Sequence, residues 1–545
     1  MFLLSICYFP IFLYIFINFY KCFILFLNNF NNFKTNNSKK INISKKYKYN
    51  LLNFWFNPKN EKIWFHSNKD DDLNIVNLYY NEFLDLDLDL DLDLDLDLDL
   101  EYYLYKIILY DQITRHIDRV KKTNLKNLYN EKALKISKFI LESNRINNYN
   151  YKEIIFILMP YRHTFELDKL IYIKNLIENL KQHNENIYFD KFYYNTVTSI
   201  ANLKKPELYL PKTKDFKNNL LCQKSTFKKN INISKNICEY FKKDFEIIDE
   251  KSVTISLSGG PDSMVCAECL YELGFNVTAI MINYNNRKES NDEVEMVAHW
   301  CFNKGIKFYV RNINEIQRSN DRHREFYEKI TKKIRFDAYS YLGNPVVLGH
   351  IWDDCFENII TNINKGISYD NLIGMNFKTK IDNIILLRPL LNKKKEEIIN
   401  FANKRNLPFL YDSTPKECNR GYIRDKIKPA FNNFDPNLIK NFIDMSNRFK
   451  DTHLDFTKIL MKNTKFNKIN NNSYYVYYEE CYCLDYWLNI FEILKNKYLL
   501  TKPKIKSIKN LINKIKKKKF NIKIVLTDKM YCIQYEINKL EIFVT

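Results

Sequence analysis

The chain has 545 residues, a formal net charge of +21 and 46% hydrophobic residues, so it exceeds one ordinary domain and can build real cores in two to four folded units. Its twelve cysteines lack regular spacing, which excludes a disulfide scaffold and fits reduced thiols. The basic excess favours a polyanionic partner. The abundance of Lys, Asn, Ile, Tyr and Phe beside only nine Gly also fits the coding bias of an AT-rich genome.

Met1 to Leu27 is almost wholly apolar, broken by Asn18 and Lys21, and is long enough for a signal sequence or a membrane anchor. Residues 28–50 are rich in Asn, Lys and Ser and carry no acid. Together residues 1–50 resemble the two-part address of a secondary plastid, an apicoplast. A single-pass anchor with a basic flank, or a cytoplasmic protein, is the alternative. No stable membrane association of the mature protein is expected.

Residues 51–195 predict an all-α region. Within it, Leu84 to Leu100 alternates Leu and Asp strictly. That period suits a strand, but dense Asp opposes one, so a disordered repeat insert is expected. Phe54-Trp55-Phe56, Trp64-Phe65, Asp111-Gln112-Ile113-Thr114-Arg115 and Met159-Pro160-Tyr161-Arg162-His163 follow in order. This series resembles a bacterial-type helical domain family of unknown function with tetratricopeptide-like helix pairs. The resemblance implies no chemistry. His163 reads as a helix-packing residue before it reads as a catalytic one.

Residues 196–249 read as a Lys- and Asn-rich linker running into one helix. Over 250–429, Val253–Leu257, Val277–Asn283, Lys307–Val310, Val346–Leu348 and Ile384–Leu387 are strand candidates separated by helical patterns. That alternation predicts an α/β domain with a parallel sheet covered on both faces. Residues 430–545 predict a small basic α+β tail, in which Lys514 and Lys516 to Lys519 offer phosphate contacts.

One segment carries chemistry. Val253 to Leu257 runs into Ser258-Gly259-Gly260-Pro261-Asp262-Ser263 and then into a helix ended by Gly274. Adjacent glycines let the backbone approach a ligand, and amides at a helix N-terminus attract an anion. Ser258 and Ser263 add hydroxyl donors, and Pro261 suits a first helical turn. The loop is neither a Walker loop nor a dinucleotide fingerprint. The pattern S-G-G-x-D-S resembles the pyrophosphatase-loop ATPases, which implies ATP cleaved between its α and β phosphates. Asp262 would repel phosphate unless a cation intervened, and Mg²⁺ held by Asp262 removes the conflict. Cys266 and Cys269 form a lone C-x-x-C inside the helix, which does not read as a metal site, and Cys481 and Cys483 add nothing to it.

A second constellation follows Val346–Leu348: Gly349, His350, Asp353, Asp354 and Glu357. On a helix the three carboxylates crowd one face and need a lysine ammonium or Mg²⁺ beside them. His350, Asp353, Asp354 and Glu357 resemble the acidic block of the tRNA(Ile)-lysidine synthetases. So do Asn371 to Met375, Arg388 to Leu391, Leu407 to Asp412 and Arg424 to Ile427, in the same order. Ile351, Cys355, Asn358, Asp425 and Ser413-Thr414-Pro415 depart from that pattern.

The resemblance implies an ATP-dependent ligase acting on cytidine 34 of tRNA(Ile) with a CAU anticodon. It implies ATP at Ser258 to Ser263, catalytic roles for Asp262, His350, Asp354 and Glu357, and free L-lysine as the second substrate. Asp353 and Arg335 are then expected to contact substrate, and homodimerisation is left open. A tRNA thiolase and a non-catalytic tRNA-binding scaffold are the competing readings.

Overall fold

The computed structural model describes residues 50–65, 67–86, 99–181, 187–212, 252–287, 289–318, 323–343, 345–365, 374–410, 419–470, 472–478, 484–498, 500–528 and 530–544. The apolar leader, the core of the Leu-Asp repeat, most of the expected linker, Asn371–Ile373, Ser413–Pro415, Cys481 and Cys483 lie outside the described residues. Two compact units emerge, one of residues 1–204 with 318–330, the other of 205–317 with 331–545.

The first unit is helical: α1 (Lys69–Leu86), α2 (Leu100–Ile107), α3 (Thr114–Lys121), α4 (Leu125–Glu142), α5 (Tyr151–Arg162), α6 (Leu167–Lys181) and α7 (Ile187–Leu203). An Asn150–Glu153 capping box starts α5 and satisfies amides that no helical bond reaches. The aromatic residues singled out in the sequence meet there. Trp64 packs edge-on to Phe156 with centroids 5.1 Å apart, and its indole nitrogen donates to the Trp55 carbonyl at 2.9 Å. The last helix, α7, runs past Thr196, where the sequence suggests a linker, because Val197, Ile200 and Ala201 are buried.

The second unit begins with β1 (Glu207–Leu208), β2 (Ser252–Leu257), α8 (Pro261–Glu272), β3 (Asn276–Asn283), α9 (Ser290–Asn303) and β4 (Lys307–Asn312). It continues with α10 (Arg324–Leu342), whose residues from Thr331 onward belong to this unit. Then come β5 (Val346–Leu348), α11 (Trp352–Asn364), β6 (Lys378–Ile381), β7 (Ile384–Leu387) and α12 (Lys395–Lys404). The seven strands lie in the order β1-β4-β3-β2-β5-β7-β6. The middle five are parallel, as the strand–helix alternation predicts, while β1 and β6 pair antiparallel at the edges. The core under the sheet is built from β2 residues Val253, Ile255 and Leu257 and from α8 residues Met264, Val265, Cys266 and Cys269. Both cysteines of the lone C-x-x-C are thus core residues, and burial pushes the Cys266 thiol well above its ordinary range.

The chain goes on through α13 (Asn419–Tyr422), a π turn (Ile423–Ile427), α14 (Lys428–Phe434) and α15 (Leu438–Asn463). It closes with β8 (Lys465–Asn470), β9 (Ser473–Tyr477), α16 (Leu484–Tyr498), α17 (Ile505–Lys516), β10 (Lys523–Thr527), β11 (Met530–Glu536) and β12 (Lys539–Val544). These last strands form an antiparallel sheet, β10-β11-β12-β9-β8, with its own core around Trp487, Phe491 and Leu511. Among the described residues, no helix is long and apolar enough to cross a membrane.

Candidate active site

Strand order reverses at β2: the chain steps outward to β3 and β4 on one side and to β5 and β7 on the other. Open parallel sheets bind ligands at such a switch point, beyond the carboxyl ends of the strands. Residues 258–263 leave β2 there, and residues 349–357 leave β5 beside them, since Ser256 pairs with Leu348.

The bend after β2 depends on glycine. Gly259 has φ +75°, a conformation that a side chain strains. Gly260 is the N-cap of α8, Pro261 occupies its first turn, and no side chain caps its leading amides. Those amides are therefore open to an anion. Ser263 ties the bend together: its Oγ accepts from the Ser258 amide at 3.1 Å and donates to the Gly260 carbonyl at 3.0 Å. The two loops touch at Gly349. A Cβ there would stand 2.8 Å from both the Cα and the amide nitrogen of Ser263. Leu410 fixes the far side by donating its amide to the Gly259 carbonyl at 2.9 Å.

Asp262, Asp353, Asp354 and Glu357 are each paired with a cation of the chain itself. Both Asp262 oxygens accept from Lys395 Nζ, at 2.8 and 2.7 Å. Burial lifts the Asp262 carboxyl above its ordinary range, with Lys395 opposing. Asp353 pairs with Lys428 and accepts the Lys395 amide at 3.2 Å, which clasps the starts of α11 and α12. Asp354 caps α11 by accepting the Ile351 amide at 2.9 Å and lies 3.6 Å from Arg424. Glu357 is 2% exposed and is held by Arg424, with Arg420 at 3.9 Å. Burial raises its carboxyl, again against the pull of its arginine. Two lysines and an arginine, from α12, α14 and the π turn, supply the opposing charge.

His350 Nδ1 accepts from Arg388 Nε at 3.2 Å. Arg388 is fixed in turn by the Asn376 carbonyl at 2.9 Å and the Thr379 hydroxyl at 2.8 Å. Burial pushes the imidazole down to about 4, so His350 is neutral at pH 7, with its proton on Nε2. Arg335 lies on α10, where its charge reaches His350, and among the described residues it has no carboxylate partner. The sequence alone does not single out Lys395, Lys428 or Arg420, and Arg388 and Arg424 enter it only as parts of family segments. Lys395 does leave a signal, because a cation at the first position of a helix opposes the helix dipole unless something uses it.

Residues 229–431 match the PP-loop domain family. The β2 loop, the parallel sheet and the match agree. The chain carries a PP-loop domain. Ahead of this PP-loop domain, residues 51–250 match a bacterial protein family of unknown function. A tRNA(Ile)-lysidine synthase from Bacteroides thetaiotaomicron is 25% identical over 236 residues, 42% of this chain and 54% of that one. Another, from Mycoplasma mycoides subsp. mycoides, is 25% identical over 234 residues, 42% of this chain and 56% of that one. A third, from Chlamydia caviae, is 29% identical over 188 residues, 33% of this chain and 58% of that one. The chain spans about half the length of the curated relatives it matches. Among the described residues, no group of three or more His, Cys, Asp or Glu side chains is placed to hold a metal ion.

Proposed function

We propose that this chain is a tRNA(Ile)-lysidine synthetase. It adenylates the C2 oxygen of cytidine 34 of a CAU-anticodon tRNA with ATP, releasing pyrophosphate, then joins the ε-amine of free lysine to C2, releasing AMP. The observation that carries the reading is the uncapped start of α8, set against the acidic face of α11 by the contact at Gly349. One side offers amides to phosphate, and the other offers carboxylates to an amine.

In the first step the cytidine C2 oxygen attacks the α-phosphorus of ATP, and the bond to the β-phosphate breaks. The amides of Gly259, Gly260, Asp262 and Ser263 and the Ser258 hydroxyl stabilise the charge gathering on pyrophosphate, while the Ser263 hydroxyl holds the bend. Lys395 screens Asp262 from that charge, and the Arg335 guanidinium, which has no carboxylate partner among the described residues, takes a phosphate oxygen. Mg²⁺ would bind Asp262 together with ATP, since this ion takes one or two carboxylates plus substrate phosphates, and it would supply neutralising charge. In the second step the lysine ε-amine must shed a proton before it attacks C2 and expels AMP. Glu357, whose burial raises its proton affinity, receives that proton, while Arg424 holds it and Asp354 in place. Neutral His350 offers Nε2–H as a hydrogen-bond donor to substrate.

The tail from residue 430 is the proposed tRNA-binding part, with Lys516 to Lys519 meeting phosphates. Residues 1–50 are proposed to direct import into a plastid, which a fluorescent-protein fusion of that segment tests. Labelled lysine mixed with ATP and CAU-anticodon tRNA should enter the tRNA at position 34, as read by mass spectrometry of the nucleosides. ATP turnover with sulfur transfer and no lysine uptake would move the reading to a thiolase. Binding of tRNA without ATP turnover would move it to a scaffold.

A further inference from the structure

The helical unit holds a second polar centre that the proposed reaction leaves unused. Between α2 and α3 the helix loosens into one π turn, Ile108–Ile113. Such turns give up regular hydrogen bonding and recur at functional positions. Here the turn carries Asp111 and Gln112 into the interior, 1% and 6% exposed. The Asp111 carboxylate accepts from Arg115 Nη2 at 3.0 Å, from Gln112 at 2.5 Å and from His163 Nδ1 at 2.8 Å.

A second arginine adjoins this group. Arg162, the last residue of α5, is close enough to feel the charges of Asp111 and Arg115. Its Nε is buried and has no hydrogen-bond partner, and among the described residues no carboxylate pairs with its guanidinium. Two guanidinium groups thus lie near one carboxylate, and only Arg115 pairs with it. A partly desolvated cation in excess is costly unless an anion answers it. The residue as a whole is only half-buried, so a solute can reach it.

His163 narrows the ligand. Its Nδ1–H is committed to Asp111, and burial keeps the ring neutral. Its Nε2 is then a lone-pair acceptor, with no partner among the described residues. An anion that keeps a hydroxyl, as inorganic phosphate does at neutral pH, can satisfy both arginines and this nitrogen. Sulfate has the same shape and charge class but no proton to give.

We propose that Asp111, Arg115, Arg162 and His163 form a binding site for inorganic phosphate in the helical unit, with the two arginines as its cationic seat and His163 Nε2 accepting the phosphate O–H. Asp111 acts as the positioning residue for Arg115 and His163.

Hydrogen exchange on the full chain tests this, read in peptides covering residues 108–119 and 151–166. Inorganic phosphate should slow exchange in both peptides by about threefold or more. Sulfate should need about tenfold higher concentration to do the same. Arg162→Leu should abolish the response and, having shed an uncompensated cation, should melt no lower than wild type in anion-free buffer. Asp262→Ala, which disables the ATP loop, should keep the response, so this site and the proposed enzyme activity can fail separately. No protection in the wild type, equal potency of sulfate, an unchanged response in Arg162→Leu, or a lower melting point of that variant would each overturn the proposal.

Discussion

Lys395 stands at the first position of α12, where the helix dipole works against a cation, and both Asp262 oxygens offset that penalty. Asp262→Ala should therefore abolish ATP-dependent pyrophosphate release, and Lys395→Ala should lower it by about 10²-fold or more, because an unscreened Asp262 then faces the phosphates. A radiochemical pyrophosphate assay reads both. Gly349→Ala places a methyl 2.8 Å from the Ser263 backbone, so the loop must shift. We expect a loss of about 1–3 kcal/mol in stability, read by denaturant melts, with a larger loss of turnover. His350 supplies a pH limb. Its ordinary value of 6.5 falls to about 4 in the fold, so the unfolded chain takes up this proton more readily. Stability then declines as pH drops from 6.5 towards 4, and a His350→Gln variant should lack that part of the decline. Denaturant melts of both proteins across that range check it.

At the scale of elements, what is legible in the sequence follows from burial. Strands β5 and β7 begin and end where the sequence places them, because each is a short apolar run with clear breaks, Pro345 and Gly349 around β5 and Asn383 and Arg388 around β7. The two edge strands leave no such mark, for the opposite reason. Glu207–Leu208 is exposed throughout, and Lys378–Ile381 interleaves lysine, so neither carries a burial pattern. The loop after β2 is legible because its diglycine and serines are local chemistry. The cations of the site are not, since Lys395, Lys428 and Arg424 reach their carboxylates over 133, 75 and 67 positions of sequence. Arg424 sits in the π turn between α13 and α14, and its partner Glu357 has a side chain only 3% exposed. Arg424→Gln leaves that carboxylate with only Arg420, at 3.9 Å, to answer it. It should cost about 1–3 kcal/mol, less than for a fully buried pair because Arg424 keeps contact with water. Cys266→Ala, by contrast, only opens a small hole under α8 and should leave turnover within about twofold of wild type.

At the scale of the whole molecule, charge is the feature least explained by the fold. A net +21 is more than any one site uses, and the lysines at the end of α17 are exposed and carry no packing role. If they meet tRNA phosphates, replacing Lys516 to Lys519 with Ala should weaken tRNA binding uniformly across sequences. The slope of log affinity against log salt should fall by roughly one for each phosphate no longer neutralised, read by filter binding across a salt series. The helical unit and the PP-loop unit are each complete cores with their own polar centres, so defects at Arg162 and at Asp262 are expected to be independent. The most direct measurement of the central claim is the product pattern from ATP labelled at the α or the γ phosphate, with CAU-anticodon tRNA and lysine present. A loop that grips the outer phosphates from the start of α8 predicts AMP and pyrophosphate in equal amounts. ADP with inorganic phosphate, or intact ATP after prolonged incubation, would contradict it.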